Sequence, residues 1–194
     1  ALEITMELIS CYHELGPVVL PDWQGRQMYM HTFDISDVTM PEGYEDYVQP
    51  VKHLCNATGR FSGVAHLTVD EKVVLAGNSQ RRPGPHVDGR FMRSIMDWSH
   101  GPGGPGWNHT CNLIPVDRMA VIVASDVAGC TAWEGRFEGT PRNDGDLTHI
   151  HNQLGEGRVL PANHGFMLSP DCVHQSNIFM QDTKRVFLRI ALEN

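Results

Sequence analysis

Two histidines, one aspartate and two arginines stand where their types and spacing allow metal and carboxylate chemistry. They are His86 and Asp88 in the triplet His86-Val87-Asp88, His174 in a later apolar run, and Arg185 and Arg189 in the run after that. Residues 81–85 (Arg-Arg-Pro-Gly-Pro) exclude a helix ahead of His86, and Gly89 interrupts the chain again behind Asp88, so residues 86–88 are expected to be extended. Extended residues two apart face the same side. An imidazole and a carboxylate can therefore meet one metal ion together, and a histidine from another strand completes a facial set of two histidines and one carboxylate. About three positions of an octahedral ion then stay open for a chelating cosubstrate and a gas.

In a chain with 11 histidines a lone His-x-Asp is weak evidence, and its context decides how much weight it bears. Residues 165–179 and 185–191 read as two apolar strand runs around a polar turn at 181–184, a β-hairpin. His174 falls on the first run and Arg185 opens the second, where an inward guanidinium takes a carboxylate in a bidentate grip. By strand period Arg189 shares the face of Arg185, which makes it a rival for that carboxylate or a contact for a substrate.

On these residues the sequence resembles the non-haem Fe(II)- and 2-oxoglutarate-dependent oxygenases, whose pattern is His-x-Asp, a distal His, and an Arg or Lys some ten residues later. The resemblance covers roughly residues 60–192, with a glycine-led apolar run at 165–170 before the distal histidine. It implies a mainly β fold, the double-stranded β-helix or jelly roll, with one or more N-terminal helices packed on it. It further implies Fe(II) held by His86, Asp88 and His174, and 2-oxoglutarate held by Arg185 and converted to succinate and CO2 with consumption of O2. An aspartate at position 88, where halogenating relatives carry a small residue, points to hydroxylation of a C–H bond. One departure is Phe187, at a place where many members carry a serine that also contacts the cosubstrate.

A second constellation competes. His149, His151 and Glu156, with His174 as fourth ligand, resemble the cupin His-x-His pattern, although the glycine expected before the second histidine and a strand after His151 are missing. That set would make a metalloenzyme indifferent to 2-oxoglutarate. A non-catalytic jelly-roll binding module is the remaining class, because fold alone does not fix function.

The length of 194 residues and 41% hydrophobic content fit one globular domain, residues 1–194, with an N-terminal helical and extended portion over 1–60 and the jelly-roll core over 61–194. A net charge of −8 argues against a broad nucleic-acid face and fits a small polar metabolite or amino acid as substrate. Arg81, Arg82, Arg90 and Arg93 form a local basic patch suited to drawing in an anion. Five cysteines without a Cys-x-x-Cys pair fit a reduced, cytoplasmic protein, and no apolar run reaches the length of a membrane span.

Among the elements that must position the site, residues 28–35 read as a strand and 41–55 as a helix that Pro50 would interrupt. Residues 63–69 and 72–76 read as a hairpin turning at Asp70-Glu71, and 119–125 as a buried strand. Shorter strands are expected at 131–137 and 158–160. The Gly/Pro-rich stretch 99–109 is expected to be a loop, a candidate lid carrying Trp107 and His109 onto a substrate.

Overall fold

A computed structural model describes residues 7–88, 120–142 and 145–193. The protein is mainly β, built of antiparallel sheets with two short helices. In chain order the strands are β1 (Glu7–Ser10), β2 (Tyr12–Pro17), β3 (Gln27–Asp34), β4 (Val64–Val74), β5 (Ala120–Ser125), β6 (Cys130–Ala132), β7 (Gly135–Glu138), β8 (Arg158–Val159), β9 (His164–Leu168), β10 (His174–Ser176) and β11 (Thr183–Leu192). The helices are α1 (Val48–Ala57) and α2 (His151–Leu154).

Six strands form the larger sheet in the order β2-β9-β5-β11-β4-β3. Its centre is β11, hydrogen-bonded to β4 on one side and β5 on the other. Strand alternation sorts β11 into two faces. Val186, Leu188, Ile190 and Leu192 join Val51, Leu54 and Cys55 of α1 in an outer core, together with Leu67 and Val69 of β4. Phe187 and Ala191 belong to an inner core shared with Val121, Val123, Phe166 and Leu168 and with Ala132 of the opposite sheet. Arg185 and Arg189, in step with Phe187, therefore project between the sheets.

A second, smaller sheet of three strands has the order β10-β6-β8, and β1 and β7 pair in a two-stranded sheet of their own. Residues 86–88 extend the three-stranded sheet beyond β10, since His86 bridges to His174 on one side and to Asp146 on the other. From β4 onward the chain passes from the larger sheet to residues 86–88 of the smaller. It returns to β5, crosses to β6 and β8, returns to β9, crosses to β10 and ends on β11.

The predicted strand over 28–35 and the buried strand over 119–125 are present as β3 and β5, and α1 packs on the sheet as its apolar face requires. Pro50 does not interrupt α1 because it lies in the first turn, where its missing N–H has no helical partner to lose. Two hairpin expectations fail. Residues 64–74 form the single strand β4, with Asp70 and Glu71 buried in its middle instead of turning. Glu71 accepts hydrogen bonds from the Tyr47 hydroxyl at 2.7 Å and Arg26 Nε at 2.9 Å, so its charge is matched indoors. Residues 165–191 are not a hairpin either, because β9 and β11 lie in the larger sheet while β10, between them, pairs with β6 in the smaller. A turn at Ser169, closed by Cys172 N–H donating to Ser169 O at 2.9 Å, carries the chain across. The 131–137 stretch likewise divides into β6 and β7.

Candidate metal centre

His86 and His174 face each other as a reciprocally hydrogen-bonded antiparallel pair. His86 N–H donates to His174 O at 2.9 Å, and His174 N–H to His86 O at 3.0 Å. Directly opposed residues project to the same face, which brings the imidazole centroids to 4.4 Å. Asp88, two residues along the same extended segment, joins them there. Val87 and Val173 point the other way, into a separate core with Leu147, Trp133 and Phe137 that anchors the bridge from behind.

The three side chains are buried, and one ligand atom from each lies within 4.8 Å of the others. His86 Nε2 is 3.6 Å from Asp88 Oδ1, and His174 Nε2 is 3.4 Å from Asp88 Oδ2. Both rings are oriented the same way. His86 Nδ1 lies 3.0 Å from Gly84 O and His174 Nδ1 lies 2.9 Å from Cys172 O. A carbonyl only accepts, so each Nδ1 carries the proton and each Nε2 presents a lone pair toward Asp88 when the ring is neutral. Such backbone-oriented histidines are what a metal site requires of its outer shell. Burial pushes the His86 pKa down to about 3, which keeps that ring neutral and ready to ligate. For Asp88 burial acts upward, but His174, Arg189 and His86 outweigh it and hold the carboxyl well below its usual range. Two imidazole nitrogens and one carboxylate form a set that could hold a divalent metal ion, with one side left open.

The triad opens onto a cavity of about 320 Å³ whose lining includes Tyr29, Gln80, Val123, Arg185, Phe187 and Arg189. Arg185 is among the most deeply buried large side chains, at 1% exposure. Its Nε donates to Ser125 Oγ at 2.7 Å, and its guanidinium lies over the rings of Phe179 and Phe187 at 5.5 and 5.3 Å. Among the described residues it has no carboxylate within ion-pairing distance, and burial lowers its pKa to about 10, so it remains cationic at neutral pH. Room for it is made by Gly129, where a Cβ would stand 2.9 Å from Arg185 Cζ and 2.7 Å from Phe179 Cζ. Arg189 lies beside the triad instead, with Nη1 at 3.4 Å from Asp88 Oδ2. The two arginines, equivalent by strand period, thus separate into Arg185, without a carboxylate partner among the described residues, and Arg189, paired with Asp88 of the triad.

The cupin-like set does not assemble. His149 and His151 are exposed on the helical turn leading into α2, Glu156 is exposed beyond it, and among the described residues His86, Asp88 and His174 form the only three-ligand group. Cys172 is a buried apolar packing residue of the inner core. Trp107, His109, the 99–109 loop, Arg90 and Arg93 lie outside the described residues. Sequence reasoning missed Tyr29 and Gln80. Gln80 is buried and is among the residues lining the cavity, its Nε2 donates to Asp70 O at 2.6 Å, and its buried Oε1 has no hydrogen-bond partner among the described residues. Its place after a strand and before an Arg-Arg-Pro turn carried no chemical signal.

No helix among the described residues is long and apolar enough to cross a membrane. No protein-family model and no curated protein sequence matches this chain.

Proposed function

We propose that this protein is an Fe(II)- and 2-oxoglutarate-dependent oxygenase that hydroxylates a C–H bond of a small polar molecule. The observation that carries the reading is Arg185, a buried cation without a carboxylate partner among the described residues, lining the same cavity as a buried His-Asp-His set. A buried charge left unmatched is costly, and an anionic ligand placed against it removes that cost. The passage of the chain between its six-stranded and three-stranded sheets supports the jelly-roll type, and the cavity volume is in the range that accommodates a small cosubstrate and part of a substrate.

In this reading His86 and His174 give their Nε2 atoms and Asp88 a carboxylate oxygen to the ion. Arg185 grips the distal carboxylate of 2-oxoglutarate, with Ser125 fixing its Nε and the two phenylalanine rings fixing its plane. Phe187 and Val123 line the wall and keep water from the reacting groups. Tyr29 and Gln80 add polar side chains to the cavity lining, which favours an amino acid or other polar metabolite over a hydrocarbon. Held by these residues, Fe(II) with 2-oxoglutarate and O2 would supply the oxidising power for hydroxylating a C–H bond, with succinate and CO2 as co-products.

The test is succinate formation from 2-oxoglutarate by the aerobic, Fe(II)-loaded protein with ascorbate. Slow substrate-independent turnover is expected in the wild type and none in His174→Ala. Iron binding without any succinate, with or without a panel of amino acids, would favour a binding module.

A further inference from the structure

Resting on the oxygenase reading above, we infer that the substrate is a small organic anion whose carboxylate or phosphate group is held at the cavity mouth by Arg81 and Arg82. The first observation is the sign of the cavity. Its described lining includes four arginines, Arg81, Arg82, Arg185 and Arg189, and a single carboxylate, Asp88. Asp88 faces Arg189 and both triad histidines, so it is committed within the triad. A chain with a net charge of −8 thus turns a cationic interior toward the triad. A divalent ion adds to that sign, and the two carboxylates of a 2-oxoglutarate offset only part of the total. Low-dielectric walls focus such a field on an entering molecule.

The second observation is that these cations lie at two depths. Arg185 and Arg189 are 1% and 3% exposed, whereas the Arg81 side chain is 23% exposed and Arg82 is half-buried. A cosubstrate gripped by Arg185 occupies the floor, so a molecule entering above it meets Arg81 and Arg82. The backbone of this pair is held in place. Arg81 N–H donates to Ser176 Oγ at 3.2 Å, Arg81 O accepts from Ser79 Oγ at 2.7 Å, and Ser176 N–H donates to Arg82 O at 3.3 Å. Ser176 ends β10, the strand that begins with His174, so the pair is clamped to the strand that carries a triad histidine.

The third observation is the crowding of like charge. Arg81 Cζ lies 5.4 Å from the centroid of the Phe187 ring, and Arg185 Cζ lies 5.3 Å from the same ring. The charge of Arg81 is felt at Arg185 and Arg189, and that of Arg82 at His86. Asp70 Oδ2, 3.5 Å from Arg81 Nη1, steadies that side chain from outside the cavity lining. This separation exceeds that of a charge-assisted hydrogen bond, so the guanidinium keeps donors for a ligand. An anion relieves the repulsion among these groups, and a guanidinium fork suits a carboxylate and a phosphate alike. An uncharged molecule of the same shape gains none of this.

The experiment is anaerobic titration calorimetry of the Fe(II)-loaded protein with saturating 2-oxoglutarate. The probes are inorganic phosphate, and N-acetylalanine and N-acetylserine each paired with its uncharged amide. At least one anion is expected to bind about tenfold or more tighter than the amides and to weaken as salt is added. That preference is expected to vanish in Arg81→Met/Arg82→Met and to survive in part in Arg81→Lys/Arg82→Lys, which keeps both charges. Tighter binding of the acids than of phosphate assigns a carboxylate, and the reverse assigns a phosphate. If the wild type binds acids and amides equally, or binds none of the anions, the inference is wrong, and this comparison needs no variant to fold. Displacement of 2-oxoglutarate by the acids, read as loss of its charge-transfer band, would also overturn it. If 2-oxoglutarate gives no such band at the outset, the oxygenase reading fails by itself. The same titrations on the metal-free protein then decide the anion site: a preference for anions lost in Arg81→Met/Arg82→Met but kept in Arg185→Met upholds it, and any other pattern removes it.

Discussion

Replacing Arg185 with methionine is expected to leave the apo-protein as stable as before, or more so, while removing its affinity for 2-oxoglutarate. The arginine pKa is lowered by burial from 12.5 to about 10. Between those values the unfolded chain binds the proton more tightly, so stability rises with pH across that window; below it, at neutral pH, the full cost of burying the charge is present. That cost is about 3 kcal/mol. The hydrogen bond to Ser125 returns about 1 kcal/mol and the contacts with Phe179 and Phe187 about 1–2 kcal/mol together. The balance is near zero. Methionine keeps most of the volume, so no large cavity opens, and the expected change is between about 0 and +2 kcal/mol, or up to roughly +6 °C in Tm for a chain of this size. Excess ligand supplies the contrast, since 2-oxoglutarate at 100 times its Kd adds about 2.7 kcal/mol to the Fe(II)-loaded wild type and nothing to the variant. Differential scanning fluorimetry under anaerobic conditions reads both. A drop of more than about 5 °C in the apo variant would mean that Arg185 supports the fold, and a ligand-induced rise that survives the substitution would refute its assignment to the carboxylate.

Asp88→Ala removes a proposed metal ligand and also the carboxylate that faces the buried Arg189, so it is expected to lower apo stability by about 3–5 kcal/mol and to abolish tight metal binding; adding Arg189→Met should restore the stability in denaturant titrations but not the metal. Gly129→Ala drives a methyl group against Arg185 and Phe179 and is expected to weaken 2-oxoglutarate at least tenfold in a binding titration while leaving metal affinity unchanged. Gly165→Ala collides with Leu54 of α1 on the far face of the larger sheet, so it should cost about 1–3 kcal/mol by chemical denaturation with no effect on either ligand.

The pairing of His86 with Asp88 was readable from sequence because its geometry is local. Pro85 and Gly89 force the segment to be extended, and a period of two then places His86 and Asp88 together. What joins them to His174 is a bridge across 88 positions of chain, which apolar patterning does not encode, and the same non-locality explains the two misread hairpins. Asp70-Glu71 has turn-like composition, yet Glu71 is buried because Arg26 and Tyr47, 45 and 24 residues away, satisfy it. Residues 165–179 look like one strand, but Pro170 and the turn at Ser169 divide it between two sheets. Strand period showed that Arg185 and Arg189 share a face. Only the position of Asp88, which pairs with Arg189, distinguishes their surroundings.

The most direct measurement is an anaerobic titration of the apo-protein with Fe(II) and then 2-oxoglutarate, followed by visible absorption. The proposed site predicts a metal-to-ligand charge-transfer band in the wild type that saturates at one equivalent of iron, is absent in His174→Ala and is weakened in Arg185→Met. Iron uptake through His86, Asp88 and His174 without such a band at any concentration of 2-oxoglutarate would contradict it.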